Sequence, residues 1–353
     1  MRAAILKGGE IEIGELPDPT PKQGQVLVSP LFNGICGSDL HFREAMNQIT
    51  AQTPPEQRGA LPAFVPGHEF SAEVLEIGPA TETDLRPGDR IVPIPFVMTD
   101  HGAETVGLSS TFSGGLATRS VVIADRCFRI PRGVAADLAA LTEPLSVGRH
   151  ATNLAHRNRG PNVIIGCGPV GLAVLLALKA EGRGPVLAAD FSAERRALAE
   201  ALGADIVVDP SRDAPYAHWN DLGFTPAPTS PLLQRNLAQQ PPGVNIFECV
   251  GAPGLLDQVI KNAPMHSHVI VVGVCAHVDH HTPLDAIVRE LTVEYSFAYR
   301  PDEFEASLRL MEDEPERVAR LITSRRPLAE TPLAFDALSS SPREVKILIN
   351  PRA

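Results

Sequence analysis

The chain has 353 residues, of which 44% are hydrophobic and 21% charged, and its formal net charge is −11 at pH 7. This length is enough for two domains with separate cores, and the composition is that of an ordinary globular protein. The acidic balance argues against a nucleic acid or an anionic membrane as partner, because both require a basic surface on the protein.

Signals for targeting and for disulfide bonds are missing from the sequence. No apolar run approaches the ~18–20 residues that a membrane span requires. The apolar stretch at residues 3–6 is too short for a signal peptide. The five cysteines show no paired spacing and do not indicate a disulfide framework. We therefore expect a reduced, cytoplasmic protein.

The first part of the chain, up to Pro131, consists of short β-prone runs that Gly and Pro interrupt. This texture predicts a small, irregular β-rich domain rather than a layered α/β one. After it, a helix is predicted over residues 135–154. The predicted strands of this first part are 25–30, 69–77, 89–93 and 117–123.

From residue 162 onward, predicted strands and helices alternate along the chain, with 192–202 as a representative helix. Such alternation is typical of an α/β fold with a parallel, doubly wound sheet. The predicted strands of this sheet are 163–165, 186–189, 206–208, 244–249, 269–274 and 292–297.

The tail is predicted to contain two helices, near 303–311 and 316–321, followed by a strand at 345–349. Pro315 suits the start of the second helix, where its missing N–H costs nothing. We expect this tail to return to the first domain. The segment 211–242 is long, rich in Pro and carries the only Trp of the chain. A connection of this length is either functional or mobile, and both interpretations stay open.

A dinucleotide-binding motif follows the first strand of the α/β part. The strand runs directly into G-C-G-P-V-G, residues 166–171, and a helix comes next. Gly166 allows the tight turn, Gly168 lets the backbone approach a pyrophosphate, and Gly171 permits close packing of helix against strand. With Pro169 and Val170 these residues form the start of the helix, whose free N–H groups attract phosphate.

Asp190 ends the next predicted strand, 19 residues beyond Gly171. A carboxylate at this place accepts both ribose hydroxyls of NAD and repels the 2′-phosphate of NADP. Arg195 and Arg196 lie inside the following helix, and Phe191 occupies the place just after the acid. The motif therefore predicts NAD as the cofactor.

Two further stretches carry potential metal ligands in a region that the sequence indicates to be loops. Cys36 lies in G-I-C-G-S-D-L-H and His68 in P-G-H-E, 32 residues apart. Together with a carboxylate they would suit Zn²⁺ with a fourth position open for substrate. The spacing alone leaves a second interpretation open, in which a buried cysteine and a core histidine have no ligand role.

Two more motifs follow along the chain, P-G-D-R at 87–90 and T-E-P-L-S-V-G at 142–148. Taken in order, all of these motifs resemble those of the zinc-containing medium-chain dehydrogenases. The likeness is to the sorbitol, butanediol and threonine dehydrogenase branch and spans essentially the whole chain. It implies a β-rich GroES-like catalytic domain, formed by residues 1–149 and 300–353, and a central Rossmann domain at 150–299.

The resemblance also implies a ligand set for one catalytic zinc ion. Cys36 and His68 occupy the places of zinc ligands, and Glu143 occupies the place of the third ligand. Glu69 is implied either as a direct ligand through an exchangeable bond or as a group behind the ligands, and the two glutamates can alternate with a water molecule. Which glutamate completes the site is left open at this point.

The chemistry implied by the resemblance is hydride transfer from a secondary alcohol or polyol to NAD. Zinc acts as a Lewis acid that lowers the pKa of the alcohol. Asp39 looks like the acceptor that orients the zinc-binding imidazole. Ser38 and His41 look like the proton relay to solvent, because a histidine with a pKa near ~6.5 suits a shuttle. The choice among polyol, diol, amino alcohol and bulkier cyclic alcohol stays open.

Many relatives carry a four-cysteine lobe that binds a second, structural zinc, but residues 95–115 of this chain contain no cysteine. Asp100 and His101 are too few for a closed site, and we expect one zinc per subunit. The last predicted strand, with Tyr295 and Phe297, offers an apolar edge, so that a homodimer or a homotetramer is expected.

Two other functions compete with a zinc dehydrogenase. One is a zinc-free quinone or enone reductase of the same superfamily, and the other is a non-catalytic NAD(P)H-binding structural protein. The joint presence of Cys36, His68 and Glu143 argues against the first alternative. The additional presence of Ser38 and His41 argues against the second.

Overall fold

The computed structural model describes residues 1–99, 102–155, 160–226, 243–341 and 343–353. The expectations for Asp100, His101 and residues 227–242 lie outside this part of the chain. The chain divides into two compact units, Met1–Glu143 with Phe304–Ala353, and Pro144–Glu303. The sequence analysis placed the domain boundaries after residues 149 and 299. These boundaries stay a prediction.

The strands are numbered in chain order within the described residues. They are β1 (Arg2–Lys7), β2 (Glu10–Glu15), β3 (Gln25–Gly34), β4 (Ala63–Phe64), β5 (Glu69–Ile77), β6 (Arg90–Pro93), β7 (Phe96–Thr99), β8 (Gly102–Thr105), β9 (Ser120–Ile123), β10 (Cys127–Arg129), β11 (Asn162–Ile165), β12 (Val186–Ala189), β13 (Ile206–Val208), β14 (Asn245–Glu248), β15 (His268–Val271), β16 (Thr292–Tyr295), β17 (Ile322–Pro327) and β18 (Lys346–Asn350).

The α-helices of the described residues are Gly37–Gln52, Ala136–Ala139, Thr142–Leu154, Pro169–Ala180, Ala193–Ala201, Leu255–Asn262, Pro283–Ile287, Pro301–Asp313, Pro315–Ala319 and Thr331–Ser340. Within the described part of the chain, no helix is both long and apolar enough to cross a membrane.

The main sheet of the first unit joins both ends of the chain, with strand order β10-β6-β5-β3-β18-β17 and β9 also paired with β3. β18 runs antiparallel to β3 and parallel to β17, so the tail completes the sheet that the first residues begin. β3 pairs antiparallel with β5, and Gly34 at the end of β3 lies opposite Glu69 at the start of β5. This register brings the segments just beyond the two strand ends together.

The second unit contains a parallel sheet with strand order β13-β12-β11-β14-β15-β16 within the described residues. The order steps outward from β11 in both directions, which is the doubly wound Rossmann arrangement. Every residue of β11, β12, β14 and β15 is buried, as expected for strands covered on both faces. The predicted α/β fold, with a Rossmann sheet and a GroES-like β-rich part, is confirmed.

Two local predictions were wrong, and two elements of the tail were not predicted. The region after Cys36 is a helix of 16 residues rather than a loop. The single helix predicted over 135–154 is two helices, because Pro144 has no N–H and its ring would clash with the carbonyl four residues earlier. In the tail, β17 and the helix Thr331–Ser340 were not predicted, since β17 is half-buried and contains consecutive arginines and a proline.

Candidate metal centre and dinucleotide site

The candidate metal centre lies just beyond the paired ends of β3 and β5 in the first unit. Cys36 precedes the helix Gly37–Gln52 and adopts an extended conformation there. The Cys36 amide N–H donates to Asp39 Oδ2 at 2.9 Å, so that the side chain of Asp39 satisfies an N–H at the start of the helix. This bond fixes the turn on which the Cys36 sulfur is carried.

Asp39 also faces His68, and both side chains are buried. Asp39 Oδ1 lies 3.4 Å from His68 Nδ1, while Ser38 Oγ lies 3.3 Å from His68 Nε2. The two ring nitrogens therefore have different surroundings, with a carboxylate behind Nδ1 and Nε2 directed to the opposite side. A metal-bound histidine typically has this arrangement, because the carboxylate behind it orients the ring.

The ligand atoms of Cys36, His68 and Glu69 all lie within 4.8 Å of one another. Among the described residues, this is the only cluster of three or more His, Cys, Asp or Glu side chains so placed. Sulfur, imidazole nitrogen and carboxylate oxygen are together a donor set that fits Zn²⁺ and leaves one tetrahedral position open. Glu143 is buried but lies outside this cluster, and its role as a ligand stays a prediction.

The electrostatics of the cluster favour a bound cation. Burial disfavours the charged imidazole of His68, but the Asp39 carboxylate and the Cys36 sulfur outweigh it. The pKa of His68 consequently lies well above its usual value. Negative groups beside a buried ring favour a positive charge there, and a bound metal would take the place of the proton.

Lys346 belongs to the same site, although the sequence analysis did not identify it. Its Nζ donates to Glu69 at 2.6 and 2.8 Å and to the Ile35 carbonyl oxygen at 3.1 Å. Burial lowers the pKa of Lys346, but Glu69, Cys36 and Glu143 raise it above the usual value. The signal in the sequence was a lysine within the apolar run of the last strand, where a charge is out of pattern.

The two predicted relay residues lie on one helix. Ser38 is half-buried beside His68, and His41 is exposed one turn further along. Ser38 contacts the metal cluster through His68, whereas His41 does not. In the described structure, no hydrogen bond joins Ser38 to His41. Residues i and i+3 share a helix face, so the pair leads from the buried cluster towards the surface.

The turn that carries His68 is braced by residues 114–116. The backbone N–H groups of Gly114, Gly115 and Leu116 donate to the carbonyls of Val65, Gly67 and Pro66 at 2.8, 2.8 and 3.1 Å, respectively. β7 and β8 pair antiparallel. Backbone hydrogen bonds thus hold the turn before His68 in place.

The second unit carries the dinucleotide motif, and its three glycines have different surroundings. Gly166 has a φ of +94°, a conformation that favours glycine. A Cβ on Gly171 would collide with the Gly166 carbonyl oxygen, whereas a Cβ on Gly168 would meet nothing within 4 Å. The open space at Gly168 lies at the start of the helix Pro169–Ala180, which includes Val170 and whose free N–H groups suit a pyrophosphate.

Asp190 connects the end of β12 to the glycine turn. Its Oδ2 accepts from the Cys167 N–H at 2.7 Å and its Oδ1 from the Ser192 N–H at 2.8 Å. Arg196 donates to the Asp190 carbonyl oxygen at 2.8 Å and pairs with Asp209 at 3.0 Å. The Asp190 carboxylate therefore lies beside the turn, and Arg196 is engaged with other partners.

The fold is that of the zinc-dependent alcohol dehydrogenases, and comparison with known proteins agrees. Residues 22–132 match the family model described as the alcohol dehydrogenase GroES-like domain, and residues 169–313 match that of the zinc-binding dehydrogenases. The chain is 31% identical over 355 residues to (R,R)-butanediol dehydrogenase of Bacillus subtilis, with 97% of each chain covered. It is 28% identical over 346 residues to human sorbitol dehydrogenase, covering 93% of this chain and 89% of the relative.

Solved structures show the same likeness. The crystal structure of 2R,3R-butanediol dehydrogenase from Bacillus subtilis matches with a TM-score of 0.82 and 29% identity over 99% of each chain. That of galactitol-1-phosphate dehydrogenase from Escherichia coli matches with a TM-score of 0.81 and 25% identity, over 99% of this chain and 100% of the other. The chain belongs to the zinc-containing medium-chain dehydrogenase family, and it is an oxidoreductase of the alcohol dehydrogenase type.

Proposed function

We propose that the protein is a zinc-dependent dehydrogenase that transfers hydride between a secondary alcohol or polyol and NAD. The observation that carries the proposal is the cluster of Cys36, His68 and Glu69, with Asp39 behind the imidazole. Three ligands leave the fourth position of a tetrahedral site to the oxygen of the substrate. The identity to butanediol and sorbitol dehydrogenases supports this class of substrate.

The residues around the cluster would accept the proton of the alcohol and transfer it to solvent. Zinc, when bound, supplies a Lewis acid that makes loss of this proton easier. Ser38 Oγ, next to His68 Nε2, is proposed to accept the proton, and His41 to pass it to solvent. Asp39 keeps the His68 ring oriented, so that the same nitrogen always faces the metal.

The second unit would hold the cofactor. The helix start after Gly168 offers free N–H groups and open space to a pyrophosphate. The Asp190 carboxylate keeps lone pairs for the ribose hydroxyls after accepting two backbone N–H groups. Since a carboxylate repels a 2′-phosphate, we propose NAD rather than NADP.

We further propose a homodimer or a homotetramer. β16 is an edge strand of its sheet in the described residues. Tyr295 and Phe297, at and just beyond its end, are 67% and 85% exposed. A second copy paired along this edge would cover both side chains. We expect no nucleic-acid or membrane partner, and we propose a cytoplasmic location.

The test is NAD⁺ reduction with a panel of secondary alcohols, diols and polyols, measured on zinc-free protein and after zinc is restored. We expect activity with at least one alcohol only when zinc is present. Activity that is independent of zinc and directed to quinones or enones would favour the zinc-free reductase instead. NAD(H) binding without turnover of any of these compounds would favour the non-catalytic alternative.

A further inference from the structure

Lys346 is a buried cation, and each of the three N–H groups of its ammonium ion has an acceptor within hydrogen-bond distance. The side chain is 2% exposed, and Nζ lies within hydrogen-bond distance of both Glu69 oxygens and of the Ile35 carbonyl oxygen. Three acceptors match the three N–H groups of an ammonium ion. A buried charge destabilises the fold unless it is paired, so the ammonium group of Lys346 depends on these acceptors.

The acceptors of Lys346 belong to the two segments that carry the candidate metal ligands. Ile35 directly precedes Cys36, and Glu69 is itself a member of the cluster and is fully buried. The two Glu69 oxygens, which a metal would use, both contact the ammonium group. A carboxylate engaged in a charge-assisted pair is a weaker ligand for a second cation than an unpaired one.

We propose that Lys346 is a positioning residue that keeps Glu69 a weak, exchangeable ligand of the metal by holding its carboxylate in a competing ion pair. The inference rests on the proposed zinc site and adds to it a residue that controls one ligand. When Glu69 is bound, three ligands leave one position for the alcohol, and an exchangeable Glu69 can free a second position while substrate enters or product leaves.

Removal of the ammonium group should act differently on the two forms of the protein. In the zinc-free form of Lys346→Met, Glu69 is a buried carboxylate without its cation, and the fold is destabilised. In the zinc-loaded form, the metal supplies the missing positive charge and gains a stronger ligand. Zinc should therefore stabilise the variant more than the wild type and should leave it more slowly.

The experiment measures the melting temperature with and without zinc, and the rate of zinc transfer to a chromophoric chelator. The proteins are the full-length wild type, Lys346→Met and Arg352→Met. Arg352 is a control, because it pairs with Glu73 at 2.9 Å just beyond the end of the same strand and lies outside the cluster. We expect zinc to raise the melting temperature of Lys346→Met more than that of the other two.

We also expect zinc loss from Lys346→Met to be at least about tenfold slower than from the wild type. A tenfold change corresponds to about 1.4 kcal/mol, and two unit charges a few ångströms apart in a protein interact by more than that. If the variant does not fold without zinc, it can be purified zinc-loaded and the rate still measured. Equal losses of melting temperature in both forms, with zinc loss unchanged or faster, would show that Lys346 is only structural.

A second comparison applies if Lys346→Met does not fold in either form. The double variant Lys346→Met/Glu69→Gln removes the pair together and is compared with Glu69→Gln alone. Because Lys346 is proposed to act through Glu69, the two should lose zinc at the same rate. A tenfold difference would overturn the inference but leave the zinc site intact. A wild type that takes up no zinc would overturn the proposed function and this inference with it.

Discussion

The contact between Asp39 and the metal cluster gives a sharp prediction for Asp39→Asn. The carboxylate has two oxygens, one accepting from the Cys36 N–H at 2.9 Å and the other 3.4 Å from His68 Nδ1. An asparagine has one oxygen and an NH₂ group at the same places. The asparagine oxygen can accept from only one of the two groups, the Cys36 N–H or His68 Nδ1. The other group then faces the NH₂ group of the asparagine.

Either orientation of the amide weakens the site. If the amide oxygen faces Cys36, the NH₂ group favours an unprotonated His68 Nδ1 and puts the proton on Nε2, the nitrogen that would bind the metal. If it faces His68, a buried N–H at the start of the helix is unpaired. Loss of such an outer partner typically weakens metal affinity by about 10–100-fold. Loss of the charged hydrogen bond costs about 1.5–3 kcal/mol of stability.

The assay is a competitive zinc titration of the zinc-free protein against a chromophoric chelator. Asp336→Asn is the control, because Asp336 pairs with Arg43 at 2.7 Å on the surface and its side chain is 62% exposed. We expect Asp39→Asn to bind zinc about 10–100-fold more weakly than the wild type, and Asp336→Asn to bind like the wild type. Equal zinc affinity for all three proteins would refute the role given to Asp39.

Other predictions concern the cofactor site and the proton relay. Gly168→Ala should keep its melting temperature and bind NAD(H) more weakly, while Gly171→Ala should also unfold at a lower temperature; equal melting temperatures for both variants would contradict the packing argument. Asp190→Ala should use NADP⁺ better relative to NAD⁺, and a wild type that reduces both equally well would show that the carboxylate does not select. Ser38→Ala and His41→Ala should keep zinc and lower kcat by roughly 10²–10⁴, with partial recovery at higher pH, because hydroxide can then accept the proton; unchanged rates at every pH would make the residue in question a bystander.

The geometry of the proposed dinucleotide site was predictable because its parts are close together in the sequence. The glycine turn is a continuous motif, and the roles assigned to Gly166, Gly168 and Gly171 depend on local backbone geometry. Asp190 follows one strand later, and neighbouring parallel strands bring their carboxyl ends to the same edge. Local sequence patterns therefore determine most of this site.

The metal cluster needed long-range pairing, which the sequence shows less directly. Cys36 and His68 meet because β3 and β5 pair with Gly34 opposite Glu69, a register that no local pattern specifies. The resemblance to a family supplied these ligands. Lys346 was missed because its contact with Ile35 spans 311 positions and exists only once β18 joins β3.

The helix after Cys36 was missed for a different reason. Its sequence lacks a strong apolar face, and only Asp39 and Met46 of its 16 residues are buried. Without a buried stripe, hydrophobic periodicity does not distinguish such a helix from a polar loop. Asp39 supports its first turn through the Cys36 N–H, a bond within one turn of the proposed metal site.

The central claim is that Cys36, His68 and Glu69 hold one zinc ion on which the dehydrogenase activity depends. The most direct measurement is zinc content per chain, with alcohol-dependent NAD⁺ reduction and NAD(H) binding followed on the same samples of wild type and Cys36→Ala. The account predicts about one zinc per wild-type chain, loss of zinc and activity together in Cys36→Ala, and retained NAD(H) binding. A Cys36→Ala protein that keeps its zinc and its activity would contradict the account.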